Sequence, residues 1–221
     1  MKAAGIISWR LFRLLINKTF VGMGDKMKIE NVLNGETVQL VAMEKNHIAG
    51  LWEAAKPDQI WTHMATKISS YSEMESAVEQ ALAEKEKGLQ FPFVVVERST
   101  GRIIGSTRYL DISTQNRSLE IGWTWYNPAF WRTRVNTECK LLLLEHVFEK
   151  LKMNRVCLKT DERNIRSQRA IERIGGVKEG VLRKDKILAD GFARNTVYFS
   201  ILPDEWPQVK ERLNSRLKIK K

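Results

Sequence analysis

Cysteine and histidine are scarce in this chain, two of the first and three of the second in 221 residues. Cys139 and Cys157 form no C-x-x-C pair, and His47, His63 and His146 are scattered. Neither a zinc-ligand spacing nor a Cys/His catalytic pair is therefore present. No metal is expected, and both thiols are expected as small core residues in a reducing compartment. Long apolar runs are missing as well. A bilayer span takes about 20 apolar residues, and the most apolar helical stretch, Val135 to Leu151, is broken by Glu138, Lys140, Glu145, His146 and Glu149. No membrane span is expected, and the expected location is cytoplasmic. Internal repeats and low-complexity linkers are absent too, which argues for one domain.

What the chain does have is enough apolar content, 43%, to fill the core of such a domain. It also has a net charge of +11, and the location of that charge matters. Residues 1–26 carry Lys2, Arg10, Arg13, Lys18 and Lys26 against Asp25, and residues 210–221 carry six Lys and Arg against Glu211. Residues 27–209 are left with +2. Charge held in the two ends is expected to be solvated, and a nucleic-acid partner is not expected. In IISWRLFRLLINKTF, Arg10 and Arg13 interrupt any signal-peptide core. The segment reads either as a surface-seeking amphipathic helix or as a dispensable extension, residues 1–26, to a domain spanning 27–221.

Periodicity orders the rest. Gly35–Met43 alternates like a strand, and a helix is expected from Glu44 to Ala55. Ser72 with Glu75 suggests a capping box for a second helix ending at Gly88. Phe91–Glu97 and Arg102–Ile112 flank the turn Ser99-Thr100-Gly101, and Ser118–Tyr126 is a third strand. Val135 to Leu151 is helical with Asn154 as a left-handed cap, and Arg155–Thr160 is a short strand. Asn164 caps a helix closed by Gly175-Gly176, a hairpin turns at Asp190-Gly191, and LPDEWPQVKERL forms a last helix. The order β-α-α-β-β-β-α-β-α-β-β predicts an α+β fold: a mostly antiparallel twisted sheet with one parallel strand–helix–strand crossover and flanking helices.

Two joints could carry chemistry. At YNPAFWRTRVNTECKLLLL a strand runs into a helix, whose unpaired N–H groups and positive dipole end suit an anion. Arg132 and Arg134 flank it; the alternative is an ordinary turn with exposed arginines. In Thr160–Gly176, Asn164 and Ser167 stand just beyond a strand's C-terminal end, where ligands collect beside parallel crossovers. There the alternative is a plain N-cap.

From about Gly35 to Leu213 the chain resembles the GNAT superfamily of N-acetyltransferases, most of all the branch with the ribosomal-protein N-terminal acetyltransferases (RimJ/RimL-like). The resemblance rests on IIGSTRYLDI, LEIGWTWYNPAFW, the N-x-x-S-x-x-x-x-E-R-x-G-G run from Asn164 to Gly176, and DGFARNTVYFSILPDEW. It implies acetyl-CoA as co-substrate. It further implies a splayed strand at Thr124, Trp125 and Tyr126 for the pantetheine arm, a pyrophosphate loop through Arg132, Thr133, Arg134, Val135, Asn136 and Thr137, and Asn164 and Ser167 framing the other side. The family loop Q/R-x-x-G-x-G/A has no glycine here, where Trp131-Arg132-Thr133-Arg134-Val135-Asn136 stands in its place. By the same resemblance Ser167 protonates the departing thiolate and Glu120 stands where other members keep a general base. Trp61, between the first two helices, is the expected substrate contact.

The reading that results is transfer of an acetyl group from acetyl-CoA to a primary amine, a protein N-terminus or a small molecule, by direct attack. A degenerate domain that binds acyl-CoA or a partner without turnover is the alternative, motivated by the glycine-free loop. A ribosome- or RNA-associated module steered by the basic ends is a third, and a homodimer stays open.

Overall fold

The computed structural model describes residues 27–188 and 190–218. The extension at residues 1–26 lies outside the described residues. The elements are β1 (Val32–Asn34), β2 (Val38–Ala42), α1 (Ile48–Ala55), α2 (Tyr71–Glu86), β3 (Phe91–Glu97), β4 (Ile103–Ser113), β5 (Ser118–Tyr126), α3 (Val135–Glu145), β6 (Arg155–Asp161), α4 (Ile165–Arg173), β7 (Val177–Ile187), β8 (Ala193–Ile201) and α5 (Trp206–Lys218). The strands form one sheet in the order β1-β2-β3-β4-β5-β6-β8-β7. Every neighbouring pair is antiparallel except β5 and β6, which the crossover through α3 makes parallel.

Side-chain alternation sends each strand's apolar residues to two faces. On one face Phe93, Val95, Leu119, Ile121, Val156 and Leu158 pack against Cys139, Leu143 and Val147 of the α3 segment and Val209 and Leu213 of α5. On the other, Val94 and Trp125 join Ile48, Leu51, Trp61, Met74 and Val78 around α1 and α2. The phase flips inside β5. Leu119 and Ile121 share the first face with Tyr126, an odd spacing. The cause is a bulge: Gly122 pairs with Arg108 and Trp125 with Ser106, so two residues oppose Thr107, and Trp123 takes a φ of 49°.

Several local expectations shift by a turn. The strand expected over residues 35–43 starts only at Val38, because the N–H groups of Glu36 and Thr37 go to the Glu138 carboxylate across the molecule. The N-cap of α2 is Ser70 and not Ser72: extended at φ −142° and ψ 161°, its hydroxyl accepts from Glu73 N–H at 3.2 Å. Glu73 in turn accepts from Ser69 N–H at 2.6 Å, one residue before the cap, so the cap sits two residues earlier than the sequence pattern suggested and the reciprocal box is not completed. After α3 a wider turn covers His146–Lys150, and the left-handed residue is Lys152, φ 53°, not Asn154. Asn154 N–H is instead committed to Arg117 O at 2.6 Å.

The basic C-terminal end is not simply solvated. Residues 210–218 belong to α5, Leu213 is fully buried, and Lys210 bonds Glu145 and Glu149 at 2.7 Å each. Cutting the chain at residue 209 would therefore remove part of the core.

Candidate active site

β5 and β6 hydrogen-bond through only three pairs, Ser118–Arg155, Leu119–Val156 and Glu120–Cys157. Beyond them β6 stays with β8 through Asp161, whereas β5 stays with β4 up to Tyr126. The two strands part, and along Ile121–Tyr126 the edge facing β6 has no strand partner among the described residues. The result is a V-shaped cleft, closed at Glu120 and Cys157. It opens toward the N-termini of α3 and α4, which follow β5 and β6 in the chain.

Each helix entry is built locally. Asn164 Oδ1 accepts the Ser167 N–H at 3.0 Å, an N-cap that fixes the first turn of α4 and leaves the Ser167 hydroxyl uncommitted among the described residues. Gly175, φ 103°, closes that helix in a conformation suited to glycine. At α3 the cap residue is Arg134, which makes no side-chain cap bond, its guanidinium instead lying 3.8 Å from Glu138 Oε2 one turn on. Thr133 Oγ1 donates to Phe130 O at 2.7 Å and accepts from Val135 N–H at 3.3 Å. The first turn of α3 otherwise offers Asn136 and Thr137, whose N–H groups have no intrahelical partner.

The predicted loop residues divide sharply. Arg132 is exposed and holds a φ of 63°. Arg134 pairs with Glu36 Oε2 at 2.5 Å, so part of its guanidinium serves the β1–β2 turn. Val135, Trp125 and Tyr126 are buried and present only backbone to the cleft. Tyr126 O is already taken by Trp131 Nε1 at 2.9 Å. A left-handed non-glycine residue costs about 1–2 kcal/mol, and glycine returns about 0.5–1 of that as lost chain entropy. Arg132→Gly is therefore expected to raise stability by up to about 1 kcal/mol, read as an upward melting shift of about 2–4 °C. A fall would mean that the Arg132 side chain makes a contact the loop depends on.

Glu120 stands at the closed end of the V with its side chain 12% exposed, 2.7 Å from Lys159 Nζ, which also reaches Asp111 at 3.0 Å. Burial pushes the Glu120 carboxyl above its ordinary range, and the Lys159 bond pulls the other way without cancelling it. Trp61 corrects an expectation. It is 5% exposed, its indole N–H donates to Ala55 O at 3.0 Å, and its ring packs 5.7 Å from that of Trp125. It is a wall of the second core, with no face left for a substrate.

Three residues escaped the sequence reading. Arg166 lays its guanidinium 3.8 Å from the centre of the Trp131 ring, joining the entry of α4 to the loop before α3 across the open end of the cleft. Its spacing, one residue before Ser167, was the available signal. Glu138 and Lys140 had been read only as interruptions of an apolar run. Both are buried, and a charge on the apolar face of a helix was the clue to each. Cys139 is buried, its thiol pushed up to about 12 by burial, and Cys157 is half-buried, so neither is an activated nucleophile. A cavity of about 380 Å³ between α1 and the β3–β4 turn, lined among others by Gly50, Glu53, Arg102 and Asn127, includes none of the predicted site residues. Among the described residues no group of His, Cys, Asp and Glu could hold a metal, and no helix is long and apolar enough to cross a membrane.

The acetyltransferase (GNAT) domain family matches residues 37–177, which includes both strands of the cleft and both helix entries. The chain belongs to that family. YdaF of Bacillus subtilis (strain 168), provisionally named a ribosomal N-acetyltransferase, is 32% identical over 106 residues, 48% of this chain and 57% of YdaF. The chain thus matches little more than half the length of that relative. A provisionally named acetyltransferase from T. thermophilus has the same fold at 32% identity and a TM-score of 0.77, covering 86% of this chain and 98% of its own. RimJ of Mycobacterium smegmatis, solved in complex with CoA-disulfide, shares the fold at 22% identity and a TM-score of 0.71, with 85% of this chain and 92% of RimJ covered. The chain has the fold of that family as a mixed α/β sheet of eight strands with one parallel pair, flanked by helices.

Proposed function

We propose that this GNAT acetyltransferase moves the acetyl group of acetyl-CoA to a primary amine, a protein N-terminus or a small amine, by direct attack. The observation that carries the proposal is the parting of β5 from β6 after Glu120, with two helix entries at the open end. The pantetheine arm would bond the unpaired edge of β5 through the backbone of Thr124, Trp125 and Tyr126. The pyrophosphate would take N–H groups of Asn136 and Thr137 with Arg132 beside them, and the Asn164-capped entry of α4 would frame the other side. RimJ holding a CoA derivative on the same fold supports that donor.

Acyl transfer needs a neutral amine, a polarised thioester carbonyl and a proton for the leaving thiolate. The carbonyl would be held by N–H groups on the free edge of β5. Glu120, a carboxylate made more basic by burial, would take the proton from the amine, and the Ser167 hydroxyl would donate to the departing sulfur. A cytoplasmic location belongs to the same reading. The name of YdaF suggests ribosomal proteins as acceptors; thiol release measured on a panel of peptides, amino acids and polyamines decides between these and small amines.

Binding stabilises the native state by RT ln(1 + [L]/Kd), about 2.7 kcal/mol at a hundredfold excess over Kd. Acetyl-CoA is therefore expected to raise the melting temperature by roughly 5–10 °C. No shift at millimolar acetyl-CoA would sink both this reading and its alternative. A shift without thiol release on any amine would favour the alternative, a domain that binds acyl-CoA without turnover. That alternative draws its support from the strained, glycine-free loop at Arg132.

A further inference from the structure

Lys140 is 5% exposed, in the second turn of α3, yet no carboxylate lies within salt-bridge distance of it among the described residues. Among the described residues its ammonium has one hydrogen bond, to Thr124 Oγ1 at 2.9 Å, and Thr124 Oγ1 in turn meets Thr107 Oγ1 at 2.8 Å. Thr124 follows the bulge at Trp123 and lies on the stretch of β5 that has left β6. The amine therefore lies against the parted stretch of β5, where the field of Glu120 reaches it. A buried cation is ordinarily paired, because burying one alone costs several kcal/mol. Among the described residues, two of the three donors of this cation have no partner.

Resting on the acetyl-transfer reading, we propose that Lys140 is the proton source for the thiolate released in that reaction. When the acceptor nitrogen has bonded to the acetyl carbon and the C–S bond breaks, the electron pair goes to sulfur. The Nζ–H bond of Lys140 then breaks as S–H forms, leaving a neutral amine and a free thiol. The acceptor's proton goes to Glu120, and both groups exchange with solvent after product release. Ser167 donates a hydrogen bond to the same sulfur, but a serine hydroxyl is far less acidic than a thiol and cannot supply the net proton.

Burial pushes the Lys140 amine down to about 8 from an ordinary 10.5, with Cys139 and Glu120 acting weakly the other way. That lies close to a free thiol at about 8.5, so transfer between the two is nearly balanced. The titratable groups around it are themselves held neutral or raised: Cys139 and Tyr126 by complete burial, Glu120 by partial burial.

The test is Lys140→Met on the full chain, with three readouts. A buried cation replaced by an apolar side chain of similar length leaves stability unchanged or raised, so the melting temperature should not fall. The wild type should gain stability between pH 8 and 10.5, where its native state has shed a proton that the unfolded chain still holds, and the variant should lack that gain. Turnover should drop by about 10²-fold or more with acetyl-CoA affinity nearly unchanged, and the alkaline fall of kcat above pH 8 should vanish. Wild-type kcat with its alkaline limb intact in the variant overturns the proposal. So does a lower melting temperature together with lost acetyl-CoA binding, which would make Lys140 a structural residue. A wild-type protein that releases no thiol at all is a separate result, and it fails the acetyl-transfer reading itself.

Discussion

Glu138→Ala is expected to lower stability by about 3–5 kcal/mol, because it leaves the donors of Glu36 and Thr37 without their buried acceptor. Glu138 is 3% exposed. Its carboxylate accepts from the Glu36 N–H, from the Thr37 N–H at 2.9 Å and from the Thr37 hydroxyl. Each donor left without a partner costs about 1–3 kcal/mol. Gly35 is part of the same device, since a Cβ there would lie 2.4 Å from Glu138 Oε1. The contact fastens the β1–β2 turn to the first full turn of α3, so its loss also loosens the helix entry that the proposed site uses for the pyrophosphate. Urea titration checks the figure. A loss below about 1 kcal/mol would mean that water replaces the carboxylate at no great cost. Glu138→Gln, which keeps an acceptor oxygen, should lose less than alanine.

Ser167→Ala is expected to reduce kcat by roughly 10²–10³-fold, the usual cost of losing one hydrogen-bond donor to a developing charge, while acetyl-CoA binding stays nearly intact. The selectivity follows from how Ser167 is used. Its N–H is the group that Asn164 Oδ1 caps, at 3.0 Å, and alanine keeps that N–H. The hydroxyl is half-buried and has no partner among the described residues, so the folded protein has little to lose. A donor that matters only as charge builds on sulfur acts on the transition state and not on the ground state. Single-turnover kinetics across pH, beside a melting curve with acetyl-CoA, separates the two. Wild-type turnover at every pH would make Ser167 a helix-entry residue and nothing more.

How much of this was legible beforehand depends on the range of each signal. Asn164 as the cap of α4 was readable because a cap needs only its own side chain and an N–H three residues on. The hairpins, the helical period of α3 and the single crossover were readable for the same reason. Their residues are neighbours in the chain, and the alternation or the turn is written within about a dozen positions. The N-cap moved from Ser72 to Ser70 because both serines satisfy the local pattern, and only the path of the chain into α2 chose between them.

The residues that turned out otherwise are fixed by contacts between different elements of the fold. Arg134 was expected to face a phosphate and faces Glu36, and Glu138 bonds Thr37 across 101 positions. Lys140 meets Thr124 only because the bulge at Trp123 turns that residue toward α3. Trp61 lost its expected substrate role because Ala55 and Trp125 enclose it. By itself the sequence determined which segments alternate, which coil and where helices begin, since those choices are made by backbone sterics and nearby side chains. Only the tertiary structure decided that β5 leaves β6 after three pairs and which charges end up buried beneath the gap. Strand pairing and burial depend on the packing of the whole sheet, and no window of neighbouring residues contains that.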